Sequence, residues 1–334
     1  MDILDLLKYT ITEGASDLHL SSGMEPMVRI DGDLVKIPQT SIITSENLLK
    51  MLAKIIPETY AKELTSKLDL DLAIGVEDLS RFRVNIFHQF RGMSAAFRAL
   101  PAHIPTFEEL GFPDVFYRLC ELPHGLILVT GPTGSGKTTS MASMINYINQ
   151  KVRGHVLTIE DPIEYVFESD KCLIQQREVR SHTAGFSEAL RAALREDPDY
   201  ILVGEMRDLE TIRLALTAAE TGHLVFATLH TNSATESIDR IIDVFPSAEK
   251  GMVRSILAGS LQAVISQILV RKAKGTGRVA AQEVMICTTA IRNLIREDKV
   301  PQIYSAMQTS QDKGMRTLAQ HLKELEEQEI IRVE

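Results

Sequence analysis

Two rhythms of apolar and polar positions divide the chain. Over residues 1–99 short helical stretches alternate with short strands. MVRI (27–30) and LVKI (34–37) flank Asp31-Gly32-Asp33, a pair of extended runs around a turn that predicts a hairpin. Residues 45–67 read as helical. DLDLAIGV (69–76), RFRVNIFH (81–88) and GMSAAFRAL (92–100) read as antiparallel strands. Together they predict a small α+β domain over 1–99, one face of its sheet covered. The segment 100–106, LPAHIPT, is punctuated by Pro101 and Pro105 and reads as a linker.

From residue 107 the rhythm changes. GLILVT (125–130), HVLTIE (155–160), YILVG (200–204) and HLVFATLH (223–230) are near-continuous apolar runs separated by helical stretches. Strands buried on both faces and alternating with helices predict a parallel α/β sheet. From about 231 onward the pattern reads as helical, so 107–334 is taken as one α/β domain with a helical region from about 235. In TLAQHLKELEEQEII, Leu318, Leu322 and Leu325 recur at helical spacing.

Composition narrows the function classes. At about 150 residues per domain, 334 residues allow two domains. A net charge of −9 gives no overall footprint for nucleic acid. Cys120, Cys172 and Cys287 are widely spaced with no CxxC pair, which excludes a disulfide framework and fits a reducing compartment. MDILDLLKYT lacks the pattern of a signal peptide, and no run reaches the roughly 18 apolar residues of a spanning helix. The expected location is the cytoplasm, with membrane contact only through a partner.

The most specific signal is GPTGSGKT (131–138). It fits G-x-x-x-x-G-K-[ST] at every fixed position, follows a predicted strand and opens a predicted helix, the setting the motif requires. Gly131, Gly134 and Gly136 let the backbone curl, so that N–H groups from Gly131, Pro132, Thr133, Gly134, Ser135, Gly136, Lys137, Thr138 and Thr139 (Pro132 excepted as a donor) surround an anion. The following helix dipole adds positive potential. Lys137 is placed to reach the β- and γ-phosphates, and the Thr138 hydroxyl to ligate Mg²⁺. The expected ligand is a nucleoside triphosphate with Mg²⁺.

Three further clusters fall at strand ends, the edge where open α/β sheets bind ligands. ILVGEM (201–206) ends on Glu205, the best candidate for the carboxylate that serves Mg²⁺ through water. Arg207 and Asp208 read as a solvated ion pair at the start of the next helix. IEDPIEY (159–165) gathers Glu160, Asp161 and Glu164 where Pro162 ends the strand. Carboxylates so close suit a general base or a metal-binding group. TGHLVFATLHTNSA (221–234) puts His230 at a strand's end, poised to donate to a γ-phosphate oxygen. His223 precedes the same strand, where a structural hydrogen bond and a sensing role are both open.

Walker A loop, acidic box, strand ending in Gly-Glu and histidine box occur in the order seen in the type II/type IV secretion ATPases, which this chain resembles. GASDLHLSSG (14–23), SRFRVNIFHQFRGMSAAFRAL (80–100) and AIRNLIRE (290–297) are similar to the type IV pilus retraction ATPases within that superfamily. The resemblance implies a PAS-like N-terminal domain, a RecA-like ATPase domain and a homohexameric ring with ATP bound between domains. It implies a motor at the inner-membrane base of the pilus machine, acting on a platform protein, with a paralogous retraction ATPase as a further partner. Glu205 then takes the Walker B role. Glu160 and Glu164 compete for general base, the family favouring the later one and strand-end geometry fitting either. An accessory retraction, pilus-assembly or secretion ATPase is the alternative within the class, and a DNA-translocating ring outside it.

Arg81 and Arg83 are two apart in one predicted strand and share a face, and Arg98 lies in the next. The resemblance implies that such arginines reach the nucleotide phosphates, in their own subunit or a neighbour's. In AIRNLIRE, Ile291, Leu294 and Ile295 form one apolar helical face. Arg292, Asn293, Arg296 and Glu297 lie on other faces and are expected to be exposed charges and amides that couple ring motion to the pilus machinery.

Overall fold

The computed structural model describes residues 2–30, 32–58, 60, 67–77, 79–274 and 277–332. It divides into two compact units. The first comprises Met1–His103 with Pro162–Val166, the second Ile104–Asp161 with Phe167–Glu334.

The first unit is built on six antiparallel strands: β1 (Asp17–Ser21), β2 (Met27–Ile30), β3 (Asp33–Lys36), β4 (Asp69–Val76), β5 (Ser80–Gln89) and β6 (Gly92–Leu100), ordered β3-β2-β1-β6-β5-β4. Alternation decides the buried face. Leu18 and Leu20, Phe82, Val84 and Ile86, and Phe97 point inward and pack against Leu6 and Leu7 of the helix Ile3–Thr12 and Leu48 and Leu52 of the helix Ser45–Leu52. Asp2 and Asp5 form a capping box that starts the first of these helices. The predicted hairpin pairs Ile30 with Asp33 across Gly32, whose φ of 98° needs glycine; Asp31 lies outside the described residues. The helix expected over 45–67 is corrected to Ser45–Leu52, because the chain turns over 53–56 into Pro57, which cannot continue a helix; residues 59 and 61–66 lie outside the described residues.

The second unit holds seven strands: β7 (Gly125–Thr130), β8 (His155–Glu160), β9 (Leu173–Glu178), β10 (Tyr200–Val203), β11 (Leu224–Leu229), β12 (Leu261–Arg271) and β13 (Arg278–Ile286), ordered β13-β12-β7-β11-β10-β8-β9. Every neighbouring pair is parallel except β12–β13. β7 and β11 are buried at every position, as parallel strands covered on both faces must be.

The region expected to be helical from about 235 is corrected here, because β12 and β13 run through it. Leu261, Val264, Ile265, Ile268 and Leu269 do recur at helical spacing, so local periodicity points to a helix. Pairing wins instead. β12 lies between β7 and β13, and its first seven residues are buried or nearly so regardless of face. An amphipathic helix gives one buried stripe, whereas an interior strand buries both sides. The remainder of the region is helical as expected, in Ala234–Asp243, Lys250–Ser260, Thr289–Arg296, Ile303–Gln308 and Leu318–Glu327. Cys120, Cys172 and Cys287 are free and buried. Among the described residues no helix is long and apolar enough to cross a membrane.

Candidate nucleotide site

Parallel strands bring their C-terminal ends to one edge of the second unit. Ordered along that edge are the loop after β7, His230 after β11, Glu205 after β10 and Glu160 at the end of β8. With strands ~4.8 Å apart, His230 stands one strand from the loop, Glu205 two and Glu160 three.

The loop after β7 has φ values of 139°, 78° and 86° at Gly131, Gly134 and Gly136, conformations that exclude most side chains. At Gly131 space is also lacking, since a Cβ there would fall 2.2 Å from the Gln267 carbonyl. The helix Lys137–Lys151 begins with no side-chain cap at Gly136, which leaves its first N–H groups aimed at the concavity. Ser135 Oγ and Thr130 Oγ1 are buried with no hydrogen-bond partner. Lys137 folds back, donating to Gly131 O at 2.7 Å and Pro132 O at 3.0 Å. Curled backbone, an uncapped helix start and orphaned hydroxyls fit a phosphate group.

Gln267 of β12 is a site residue beyond those the sequence motifs mark, although an amide inside the apolar stretch AVISQILV is a visible signal. It is buried, donating from Nε2 to Ser135 O at 2.7 Å and accepting from Ser140 Oγ at 2.9 Å.

Glu205 is held from two sides. Arg207 Nη2 lies 2.6 Å from Oε2, and His230 Nε2 lies 3.1 Å from Oε1. Burial opposes ionisation, but Arg207 and then His230 outweigh it and hold the Glu205 carboxyl below its ordinary range. One sequence reading is corrected here. Arg207 pairs with Glu205 rather than with Asp208, and Asp208 instead caps the helix Leu209–Glu220 by accepting from Thr211 N at 2.9 Å. His230 meets the Glu205 carboxylate, a partner the sequence had not suggested.

Gly204 explains why the strand ends on Gly-Glu. Its N–H donates to Ile159 O at 2.8 Å, and a Cβ would stand 3.1 Å from that oxygen and 3.4 Å from Glu160 Cα. A side chain at 204 would crowd the strand ends bearing Glu160 and Glu205, whose atoms would have to give by a few tenths of an ångström. Thr228 of β11 donates its hydroxyl to Gly204 O and accepts from Met206 N at 3.1 Å, which fixes the turn from the other side. Glu160 is buried and accepts from Thr158 Oγ1 at 2.6 Å and Gln176 Nε2 at 3.2 Å. Asp161 lies 3.8 Å from Arg180. His223 sits at the opposite end of β11, its Nδ1 3.0 Å from Ala218 O.

Oxygen donors at Thr138 and Glu205 suit a hard divalent cation such as Mg²⁺, which is held by one or two side chains together with phosphates and water.

In the first unit Arg83 and Arg98 face one another across β5 and β6. Arg83 grips Asp71 at 2.6 and 3.3 Å, and Arg98 Nε donates to Asp17 at 2.9 Å. Arg81 donates to Ile163 O at 3.4 Å. Glu164 groups with this unit and lines, with Arg81, a cavity of about 490 Å³.

On the helix Thr289–Arg296, Ile291 and Ile295 are buried as expected. Arg292, expected to be an exposed charge, is half-buried. It donates to Ala258 O at 2.6 Å, Gly259 O at 2.7 Å and Gln262 Oε1 at 2.9 Å, so it caps the C-terminal end of Lys250–Ser260, where a cation is favoured. Asn293, Arg296 and Glu297 are exposed.

A family model described as type II/IV secretion system protein matches residues 2–331. The type IV pilus retraction ATPase PilT of Pseudomonas aeruginosa is 58% identical over 97% of this chain and 94% of its own length. A twitching motility protein of Neisseria gonorrhoeae is 50% identical over 98% of this chain and 88% of its own. The crystal structure of the pilus retraction motor PilT with bound ADP matches with a TM-score of 0.93 at 49% identity, covering 100% of this chain and 95% of that one. Matched by the family model almost from end to end, this chain belongs to the type II/IV secretion system protein family.

Proposed function

We infer that this chain is an ATPase motor that couples ATP hydrolysis to retraction of type IV pili, the basis of twitching motility. The observation that carries the reading is the curled, uncapped loop Gly131–Gly136 opening the helix of Lys137, with Glu205 two strands away on the same sheet edge, in a chain 58% identical to a retraction ATPase over nearly the whole of both.

The loop N–H groups and the start of the helix Lys137–Lys151 receive the β- and γ-phosphates, and Lys137 exchanges the Gly131 and Pro132 carbonyls for phosphate oxygens. Thr138 and Glu205 would hold Mg²⁺, which would neutralise phosphate charge. His230 orients Glu205 and reads the γ-phosphate. Burial and two hydrogen bonds commit Glu160 to a fixed role, so Glu164 is assigned as general base. Arg81, Arg83 and Arg98 supply charge to the phosphates once Asp71 and Asp17 release the latter two. The motor works as a homohexamer, in the cytoplasm at the inner-membrane base of the machine, on a platform protein of that membrane. Asn293, Arg296 and Glu297 form the coupling surface. A PAS-like domain over 1–99, a linker over 100–106 and a RecA-like domain over 107–334 are the division this reading uses.

Phosphate release with and without Mg²⁺, for wild type and Lys137→Ala, tests the enzyme. Imaging of pilus retraction in cells lacking the gene, complemented by either version, tests the motor. Retraction restored by an inactive Lys137→Ala protein would remove the coupling claim.

A further inference from the structure

β12 is largely apolar, yet Ser266 and Gln267 at its centre are buried. Ser266 is level with Thr130, the last residue of β7, so Gln267 stands level with Gly131, where the loop begins. Both ends of its amide are used on the loop and the helix it opens. Nε2 donates to Ser135 O and Oε1 accepts from Ser140 Oγ, one turn into Lys137–Lys151. Its backbone carbonyl closes the space over Gly131, and Nε2 lies 3.3 Å from where a Gly136 Cβ would stand.

A phosphate cradle needs its N–H groups turned inward, which forces its carbonyls outward. A buried outward carbonyl requires a donor. Lys137 Nζ bonds the carbonyls of Gly131 and Pro132 and leaves them to reach phosphate, whereas Gln267 can serve that of Ser135 throughout. An amide does so without carrying charge, so it neither competes with Lys137 nor depends on the phosphate.

We propose that Gln267 is a positioning residue for nucleotide binding, fixing the phosphate-accepting curvature of Gly131–Gly136 through Ser135 and Ser140 without touching the nucleotide. This rests on the reading of that loop as the ATP site. The loop meets phosphate in the ground and transition states alike, so the effect falls on KM and ADP affinity more than on kcat.

The test is ADP binding by calorimetry and steady-state ATP hydrolysis for wild type, Gln267→Met, Gln267→Glu and Ser140→Ala. Gln267→Met should weaken ADP binding and raise KM about tenfold, the scale of a buried carbonyl left without its donor, with kcat within about threefold. Ser140→Ala should shift both in the same direction by less. Gln267→Glu should bind poorly at pH 8 and recover relative to wild type toward pH 5.5, because only the protonated acid donates to Ser135 O. Packing alone gives no such recovery. If Gln267→Met does not fold, the other two variants decide. Unchanged ADP affinity in the folded variants, or activity that falls with the folded fraction at constant KM, overturns the positioning role alone. Wild-type protein that binds no ADP overturns the nucleotide reading and this one together.

Discussion

Arg207 Nη2 and Glu205 Oε2 stand 2.6 Å apart, so the carboxylate assigned to the Mg²⁺ side of the site is held by the guanidinium two residues later. Glu205→Ala should lower ATP turnover on the order of 10²–10³-fold, the scale for losing a preorganised charge. Arg207→Ala should act differently. It removes a group that lowers the Glu205 pKa, so the carboxylate protonates at higher pH and the acidic limb of the kcat/KM profile moves upward. A profile that stays in place would mean that Glu205 ionisation does not limit catalysis.

Gly204 should accept a side chain only at a cost. A Cβ would press on Ile159 O at 3.1 Å and Glu160 Cα at 3.4 Å, and these are backbone atoms, so β8 and β10 must shift by a few tenths of an ångström. Gly204→Ala should cost about 1–3 kcal/mol in chemical denaturation and lower turnover disproportionately, because both Glu160 and Glu205 move. Wild-type turnover in that variant would show that their spacing is unimportant.

The helix Thr289–Arg296 calls for two different outcomes. Arg292→Ala strips donors from two carbonyls and an amide, and should destabilise the protein by about 1–3 kcal/mol. Arg296 is exposed and, among the described residues, bonded only to Asn293 Oδ1, so Arg296→Ala should change stability by less than about 0.5 kcal/mol. That second variant isolates coupling: ATP hydrolysis should persist while pili fail to withdraw. Parallel loss of hydrolysis and retraction would assign the helix to the enzyme's own structure.

Acid should weaken the protein through His321. Burial first, and the neighbouring Arg316 second, push its imidazole down to about 4, against roughly 6.5 for an unperturbed histidine. Its Nδ1 accepts from Gln282 N at 2.8 Å, a bond that needs the neutral ring. Between those pH values the unfolded chain holds the extra proton, so this contribution is complete above about 6.5 and is lost as pH falls toward 4. The loss should be on the order of 2–3 kcal/mol. In His321→Asn, whose Oδ1 can accept the same bond, urea melts from pH 7 to pH 4.5 should show a flatter decline. An identical decline would place the acid sensitivity elsewhere.

The phosphate loop was legible in the sequence because its information is contiguous. GLILVT supplies a buried strand, three glycines the positive φ angles and TTSMASMINYINQ the helix. The same holds for strand ends such as Glu160, Glu205 and His230, where apolar runs stop and polar residues begin. What only the tertiary structure decided depends on partners remote in the chain. β12 carries helical periodicity and is a strand because β7 and β13 flank it. Gln267 meets a carbonyl 132 residues away, and Arg292 a carbonyl 34 residues away. Arg292 and Arg296 share a heptapeptide and look alike in sequence, yet one caps a neighbouring helix and the other faces solvent. Periodicity and turn chemistry act over a few residues, so the sequence alone determines them. Which donor meets which buried acceptor is settled only when the sheet brings distant strands together, because the cost of an unpaired polar group arises only once it is buried.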